Sequence, residues 1–310
     1  MAELVRTAYV FPGQGAQWVG MGRDLYQDFK AARAVFDQAD EVLGFPLSRL
    51  CFDGPEDELL KTINAQPAIV ATSFACLEAS REFGAKLPPA SFLAGHSLGE
   101  YTALAAAGVL DFATTVYLAR ERGRLMHEAG ELHPGGMAAI LGLDEPALAE
   151  VCVRTDSRIA NINCPGQIVV SGAVANLARA VEMAREKGAA RVVPLQVSGA
   201  FHTPLMQSAV DGMARIMEKL SFRNPTIPVI GNTKALPLTT AEAVKEELLQ
   251  QLCNCVQWRR SVDYMLAGGV TTFIEIGPGR VLAGLIKRIN RDVKILNIGD
   301  AESIRNFSVA

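Results

Sequence analysis

Apolar and polar positions along the chain follow a pattern typical of an α/β protein. Short apolar runs of strand length occupy residues 7–11, 90–94 and 272–276, and each ends at a glycine or proline turn. Longer segments with helical periodicity lie between them, for example residues 24–43 and 67–83. This order predicts a mostly parallel sheet flanked by helices. Ligands bind at the carboxyl edge of such sheets, where the loops after the strands meet.

The pattern changes between residues 134 and 198. Short strand-like and helical segments follow one another there in the order β-α-β-β-α-β, which is typical of a split βαβ, ferredoxin-like unit. The segments cover residues 136–142, 145–153, 157–163, 167–171, 174–187 and 190–197. We therefore expect a small subdomain, residues 134–198, inserted into a larger one that is built from residues 1–133 and 199–310.

Residues 95–100 read GHSLGE and connect an apolar run to the alanine-rich stretch 101–107. Strand, sharp turn and helix are the parts of a G-x-S-x-G nucleophile elbow. The glycines allow the strand and helix backbones to approach closely, which leaves no room for a Cβ. Ser97 would then lie at a helix N-terminus, where backbone N–H groups can stabilise an oxyanion. The pattern is short, however, and it also occurs by chance in glycine-rich loops.

A base for Ser97 must come from elsewhere in the chain. His202 follows the inserted unit, in a loop before a helix that is predicted to begin at Pro204 with Thr203 as its N-cap. The α/β-hydrolase order places the histidine after the nucleophile, and this favours His202 over the other three histidines. The alternative is a loop histidine without a catalytic role.

Arg122 lies on the apolar stripe of a helix predicted over residues 112–128, with apolar residues three and four positions away on both sides. An arginine aimed into the core needs an anion, because an unpaired buried charge is costly. Three interpretations stay open. The side chain forms a structural ion pair with an Asp or Glu, it extends out to solvent, or it is held ready for a substrate carboxylate.

Gln14 lies between two glycines in the turn-rich loop after the first strand. Its backbone N–H has unobstructed access, although an ordinary turn residue would look the same. The Gly-x-Gly pattern is weak evidence for a phosphate site, since neither a complete P-loop nor a complete G-x-G-x-x-G is present.

Composition excludes several classes of function. The net charge is −3 with both signs dispersed, so the chain has no basic footprint for nucleic acid. No apolar run reaches the ~20 residues that a membrane span requires, and the N-terminus does not resemble a signal peptide. Six scattered cysteines suit a reducing compartment, so we expect a cytoplasmic protein. Cys253 and Cys255 are the only close pair, and without a second pair at metal-ligand spacing they predict no metal site.

Six motifs occur in order along the chain. They are FPGQG at residues 11–15, GHSLGE at 95–100, RG at 122–123, N-x-N-x-P-x-Q-x-V-x-S-G at 161–172, GAFH at 199–202 and F-x-E-x-G-P-G at 273–279. Together they resemble the malonyl-CoA:acyl carrier protein transacylase family, including the acyltransferase domains of polyketide synthases. The resemblance covers nearly the whole chain, residues 11–289, which makes it far more specific than the elbow alone.

The resemblance implies an α/β-hydrolase-like large subdomain with a ferredoxin-like insert, and a Ser-His dyad. In that family pattern Ser97 carries the acyl group, and His202 is its base and later the acid for the leaving thiol. The backbone carbonyl of Gln251 occupies the position that orients the histidine. The backbone N–H groups of Gln14 and Leu98 would form the oxyanion hole.

The resemblance also implies the substrates. Arg122 would bind the malonyl carboxylate, and Phe201 beside the histidine resembles members that select unbranched malonyl groups. Malonyl would pass from malonyl-CoA to the phosphopantetheine thiol of an acyl carrier protein through a malonyl-serine, without metal or other cofactor, to supply fatty-acid or polyketide synthesis. We expect a monomer. Cys164 and Cys255 depart from the residues that many relatives have, and this puts the backbone near Gln251 in question.

Two other functions are compatible with parts of the sequence. A thioesterase or esterase could use the same elbow, although Arg122 argues against simple fatty substrates. A carrier-docking protein with a decayed site would have lost Ser97, His202 or Arg122, and all three are present.

Overall fold

The computed structural model describes residues 6–307. Within these residues a six-stranded sheet, sheet A, forms the centre of the larger part of the molecule. In spatial order the strands are β10 (Lys294–Ile298), β9 (Val270–Ile276), β1 (Arg6–Phe11), β2 (Ala90–Gly95), β7 (Val229–Ile230) and β8 (Pro237–Leu238). Neighbouring strands are parallel except for the antiparallel pair β7 and β8. The expected mostly parallel sheet is confirmed.

Helices cover both faces of sheet A and also flank the second sheet. They are α1 (Arg23–Asp28), α2 (Lys30–Leu43), α3 (Leu47–Asp53), α4 (Glu56–Leu60), α5 (Thr62–Phe83), α6 (Gly99–Ala106), α7 (Phe112–Leu132), α8 (Glu145–Thr155), α9 (Val174–Glu186), α10 (Gln207–Met217), α11 (Ala241–Gln251), α12 (Trp258–Ala267), α13 (Val281–Ile289) and α14 (Ala301–Arg305). The segment 24–43 forms two helices because Phe29 between them is extended. Pro204–Met206 is a short 3-10 helix that precedes α10, and the Thr203 side chain caps it as predicted.

Helix α5 begins five residues before the start predicted at Pro67, which lies inside it. Proline has no backbone N–H, so the carbonyl of Ile63 loses its helical partner. The Arg120 side chain from α7 supplies the missing donor, with its Nη1 2.9 Å from the Ile63 oxygen. A tertiary contact therefore allows the helix to continue through a residue that usually marks a boundary.

Sheet B comprises four strands and is separate from sheet A. Its spatial order is β4 (Arg158–Cys164), β5 (Gln167–Ala173), β3 (Gly135–Leu141) and β6 (Arg191–Pro194). All three pairs are antiparallel, and the order is that of a ferredoxin-like unit. Strand β6 is shorter than the predicted segment 190–197. Helices α8 and α9 bury apolar residues such as Leu148 and Ala184 against one face of the sheet.

The other face of sheet B turns toward the larger part of the molecule, and backbone hydrogen bonds join the two. Val256, in the loop before α12, forms a parallel bridge with β4. The N–H of Ile162 donates to the Val256 carbonyl at 2.9 Å, and the Val256 N–H donates to Ala160 at 2.8 Å. These bonds fix one side of the cleft between the sheets. In the described part of the chain, no helix is both long and apolar enough to cross a bilayer.

Candidate active site

Ser97 occupies a sharp turn between β2 and α6, with a φ of 51°. Non-glycine residues rarely adopt this left-handed conformation, and such strain is concentrated at functional sites. A Cβ on Gly95 would lie 1.9 Å from the Gly99 carbonyl carbon, and one on Gly99 would lie 2.1 Å from the Phe11 oxygen. Both glycines are therefore required by the close approach of strand and helix, as the sequence predicts.

The structure brings His202 to Ser97, although 105 positions separate them in the chain. The serine Oγ lies 2.9 Å from Nε2 of the imidazole. On the other side of the ring, Nδ1 lies 2.7 Å from the backbone carbonyl oxygen of Gln251. A carbonyl can only accept, so Nδ1 carries the proton and Nε2 is free to accept the serine proton. The pair has the geometry of a nucleophile and its base.

Arg122 is 1% exposed, and its guanidinium lies beside the serine. Nη2 donates to Ser97 Oγ at 3.1 Å and to the Gln251 side-chain oxygen at 2.8 Å, while Nη1 donates to Gln66 at 2.8 Å. Among residues 6–307, no carboxylate forms an ion pair with it, and its Nε has no hydrogen-bond partner. The structural ion pair and the solvent-directed side chain are thus both wrong. Within this part of the chain, a buried cation with no carboxylate in direct contact faces the nucleophile.

Gln14 and Leu98 both line the cavity that contains Ser97. Neither backbone N–H donates to a protein acceptor within the described residues. The loop of Gln14 packs tightly against the elbow, since a Cβ on Gly13 would lie 2.3 Å from the His96 carbonyl oxygen. Both residues beside the cavity thus have a backbone N–H group without a protein acceptor among the described residues, and an oxyanion hole needs such groups.

The cavity has a volume of about 440 Å³ and lies between the two sheets. Phe201, 4% exposed, contributes to its wall beside His202. Sheet B supplies much of the opposite wall through Met137, Ala139, Asn161, Asn163, Gln167 and Val169. A short acyl group on Ser97 would therefore be enclosed by residues of both parts of the chain.

Two polar residues to which the sequence analysis assigned no role support the nucleophile elbow through hydrogen bonds. Asn232, just after β7, accepts from the Ser97 N–H at 2.7 Å and donates to the Gly95 carbonyl at 2.8 Å. Glu100 is fully buried and accepts from the Asn232 backbone N–H at 2.9 Å and from the Gln251 amide. Glu100 did offer one signal, because it is the only charged residue in the small and apolar helix α6.

His96 turns away from the serine hydroxyl. Its Nε2 lies 2.8 Å from the Asn163 side-chain oxygen, and its ring lies 5.6 Å from the ring of Trp258. Cys164 and Cys255 do not contact the dyad, and the Gln251 carbonyl reaches His202 despite them. No group of three or more His, Cys, Asp or Glu side chains that could hold a metal ion occurs between residues 6 and 307.

The pKa of His202 is lowered to about 3, first because burial disfavours the charged ring and then because the Arg122 cation repels it. The imidazole is therefore neutral, and able to act as a base, at neutral pH. Between its ordinary pKa of about 6.5 and about 3, the unfolded chain binds a proton here that the folded protein does not. In that window, His202 makes the free energy of unfolding fall as the pH falls.

We expect the rate of Ser97 acylation by an uncharged ester, p-nitrophenyl acetate, to stay constant as the pH falls through about 6.5. The reason is that His202 keeps Nε2 unprotonated in this range. In an Arg122→Gln variant the acid limb should move to higher pH, because the repelling cation is gone. Stopped-flow release of p-nitrophenolate measures both profiles, and an acid limb near the ordinary imidazole value in the unmodified protein contradicts the assignment.

Comparison with known proteins agrees with this geometry. A family model described as acyl transferase domain matches residues 8–304, nearly the whole chain. The chain belongs to the acyl transferase family. The nucleophile elbow and the cleft between two sheets described above are thus features of an acyl transferase.

Relatives of this acyl transferase are found among curated proteins and solved structures. The malonyl CoA-acyl carrier protein transacylase of Bacillus subtilis is 46% identical over 306 residues, which cover 97% of this chain and 96% of that protein. The acyl-carrier-protein-S-malonyltransferase of Bartonella henselae superimposes with a TM-score of 0.94 at 42% identity, covering 97% of this chain and 98% of that one. A malonyl-transacylase solved in complex with a type II PKS acyl-carrier protein gives 0.93 at 40% identity, with coverages of 97% and 98%. The α/β fold with two separate sheets is confirmed by these structures.

Proposed function

We propose that the protein transfers the malonyl group of malonyl-CoA to the phosphopantetheine thiol of an acyl carrier protein through a malonyl ester on Ser97. The observation that carries this proposal is the 3.1 Å distance between Arg122 Nη2 and Ser97 Oγ. In a malonyl ester the free carboxylate is one methylene away from the acyl carbonyl, so it would lie within reach of this buried guanidinium. The names of the relatives support the same reaction.

In the first half of the reaction, Ser97 Oγ attacks the thioester carbonyl and its proton passes to Nε2 of His202. The N–H groups of Gln14 and Leu98 stabilise the negative oxygen of the tetrahedral intermediate. The C–S bond then breaks, and the CoA sulfur takes the proton from His202. The Gln251 carbonyl holds the imidazole in the tautomer that both transfers need.

In the second half, the thiol of the carrier's phosphopantetheine gives its proton to His202 and attacks the malonyl ester. The C–O bond to Ser97 breaks, and the serine oxygen recovers the proton. The enzyme is thereby restored, and the carrier leaves with an extender unit for fatty-acid or polyketide synthesis. This is ping-pong acyl transfer, and the serine and the two N–H groups supply its chemistry without metal or redox cofactor.

Phe201 supports an unbranched malonyl group as the preferred substrate. Its buried ring lies directly before His202 and occupies part of the cavity wall. A methyl branch next to the acyl carbonyl would need additional space in the cavity. A close-packed wall yields such space only at a cost in packing energy.

A hydrolase that uses the same dyad is the second candidate function. Water would then replace the carrier thiol as the acceptor. The buried Arg122 cation argues against simple fatty acyl groups as substrates, because an apolar acyl chain offers it no anion. A malonyl thioesterase would satisfy Arg122 equally well, so the acceptor must be tested directly.

Intact-protein mass spectrometry tests donor and acceptor in one series. After incubation with malonyl-CoA we expect one malonyl adduct per chain, and clearly less from methylmalonyl-CoA and acetyl-CoA. Addition of a phosphopantetheinylated carrier protein should then remove the adduct from the enzyme and add the same mass to the carrier. Rapid loss of the adduct to water before any carrier is added would favour the hydrolase instead.

The division of the chain remains part of this proposal. We take residues 134–198 as an inserted subdomain and residues 1–133 and 199–310 as the catalytic one, supported by the two separate sheets. Residues 1–5 and 308–310 lie outside the described residues. We also propose a cytoplasmic location, since all six cysteines are unpaired, as in proteins of reducing compartments.

A further inference from the structure

No carboxylate among residues 6–307 touches the buried Arg122 cation, and an unpaired buried charge is costly. Its Nη2 donates to the side-chain oxygen of Gln251 at 2.8 Å. The other end of the same amide, Nε2, donates to a carboxyl oxygen of Glu100. Arg122 and Gln251 are at most 1% exposed, and Glu100 is fully buried. One amide therefore bridges a buried cation and a buried acid.

The hydrogen bonds around Glu100 are those of an ionised carboxylate. One oxygen accepts from the Asn232 backbone N–H at 2.9 Å and from the Asn232 side-chain amide at 3.2 Å. The other accepts from Gln251. All three partners are donors, and a protonated carboxyl group would need an acceptor for its own O–H. In the free protein the bridge is thus carboxylate, amide and guanidinium.

Arg122 is one of several groups that favour the ionised state of Glu100. Burial and the negative Glu247 side chain of α11 raise the pKa of Glu100 well above its ordinary range. The N–H donors of Asn232 and Gln251 and the Arg122 cation of α7 act in the opposite direction. If a second anion neutralises Arg122, one of the influences that keep Glu100 ionised is removed.

We propose that Glu100 is the counter-ion of Arg122 in the free enzyme and that it binds a proton from solvent when the malonyl carboxylate pairs with Arg122. This inference rests on the proposed function. Without the proton, two carboxylates would share one buried guanidinium, with Glu247 close to one of them. Proton binding leaves the substrate as the only anion paired with the cation. The proton is released again when malonyl leaves on the carrier.

Isothermal titration calorimetry measures this proton directly. A Ser97→Ala variant binds malonyl-CoA without being acylated, and titrations at one pH in buffers of different ionisation enthalpy give the number of protons bound per ligand. We expect proton uptake that reaches at most about one proton per malonyl-CoA at its maximum along a series of pH values. Acetyl-CoA, which has the same CoA part but no carboxylate, should give none.

Two double variants assign the proton. His202 also faces Arg122, so it is the competing site. Ser97→Ala/Glu100→Gln should lose the uptake, while Ser97→Ala/His202→Ala should keep it. In a third variant, Ser97→Ala/Glu247→Gln, the uptake should move to lower pH, because one of the influences that raise the Glu100 pKa is absent. Uptake that survives the Glu100→Gln substitution, or that disappears with His202→Ala, overturns the proposal.

A spectroscopic measurement covers the case in which Glu100→Gln does not fold. Infrared difference spectra of Ser97→Ala with malonyl-CoA should gain the carbonyl band of a protonated carboxylic acid, and spectra with acetyl-CoA should not. Tight binding of malonyl-CoA with neither band nor proton uptake at any pH overturns this inference alone. Absence of malonyl-CoA binding overturns the proposed function as well.

Discussion

Ser97→Ala is expected to form no malonyl-enzyme and to reduce transfer to the carrier by about 10⁴-fold or more, the range found when a catalytic nucleophile is removed. The reason is chemical, because alanine has no atom that can form the ester. Alanine keeps the Cβ that this turn accommodates, so we expect an unchanged fold and circular dichroism spectrum. Intact-protein mass spectrometry and a carrier-transfer assay measure the two effects.

Ser198→Ala is the matched control for the nucleophile. Ser198 lies shortly before His202, and within residues 6–307 its hydroxyl makes only a long hydrogen bond of 3.5 Å to Thr62. This variant should accumulate the malonyl adduct at the rate of the unmodified protein. A malonyl adduct on the Ser97→Ala variant would remove Ser97 from the mechanism.

Arg122→Ala is expected to lower kcat/KM for malonyl-CoA by about 10²- to 10³-fold, or about 3–4 kcal/mol, as when one partner of a buried charge pair is truncated. Acetyl-CoA has no carboxylate that could pair with this cation. Its kcat/KM should therefore hold or increase in the variant. The ratio of the malonyl value to the acetyl value, measured with the same carrier, should therefore fall at least as much as the malonyl value does.

Arg124→Ala provides the comparison on the same helix. Arg124 forms ion pairs with Glu121 and Glu128 at the surface, at 2.7 and 2.6 Å. Its loss should leave both substrates unaffected. If Arg122→Ala preserved malonyl transfer without any relative gain for acetyl, the guanidinium would have no part in substrate selection.

Local features were predictable from the sequence. The elbow could be predicted because a short apolar run, two glycines at fixed spacing and a helix are all encoded within residues 90–107. The burial of Arg122 followed from helical periodicity, although its partners did not. Its neighbours Gln66 and Gln251 lie 56 and 129 positions away, and hydrogen bonds between distant amides leave no periodic signal.

Hydrogen bonds made by backbone groups, or between residues far apart in the sequence, could not be predicted from local sequence patterns. The carbonyl that accepts a hydrogen bond from His202 belongs to Gln251, and a backbone carbonyl is the same for every residue, so only the family resemblance indicated it. Asn232 supports the elbow from a position 135 residues further along the chain. The sequence predicts a helix start at Pro67, but α5 already begins at Thr62. The hydrogen-bond donor that replaces the missing proline N–H comes from Arg120 on another helix, and this contact is not visible in the local sequence.

The segment from Gln251 to Val256 has a further consequence for engineering. The backbone carbonyl of its first residue accepts a hydrogen bond from the His202 imidazole, and its last residue is paired with β4 of sheet B. Sheet B also supplies a wall of the acyl cavity, which makes it an attractive unit to exchange between acyl transferases of different substrate preference. An exchange that replaced sheet B but kept the segment from Gln251 to Val256 would pair this segment with a strand from another enzyme. Chimaeras should therefore carry the loop together with the sheet, so that specificity can change while the dyad stays aligned.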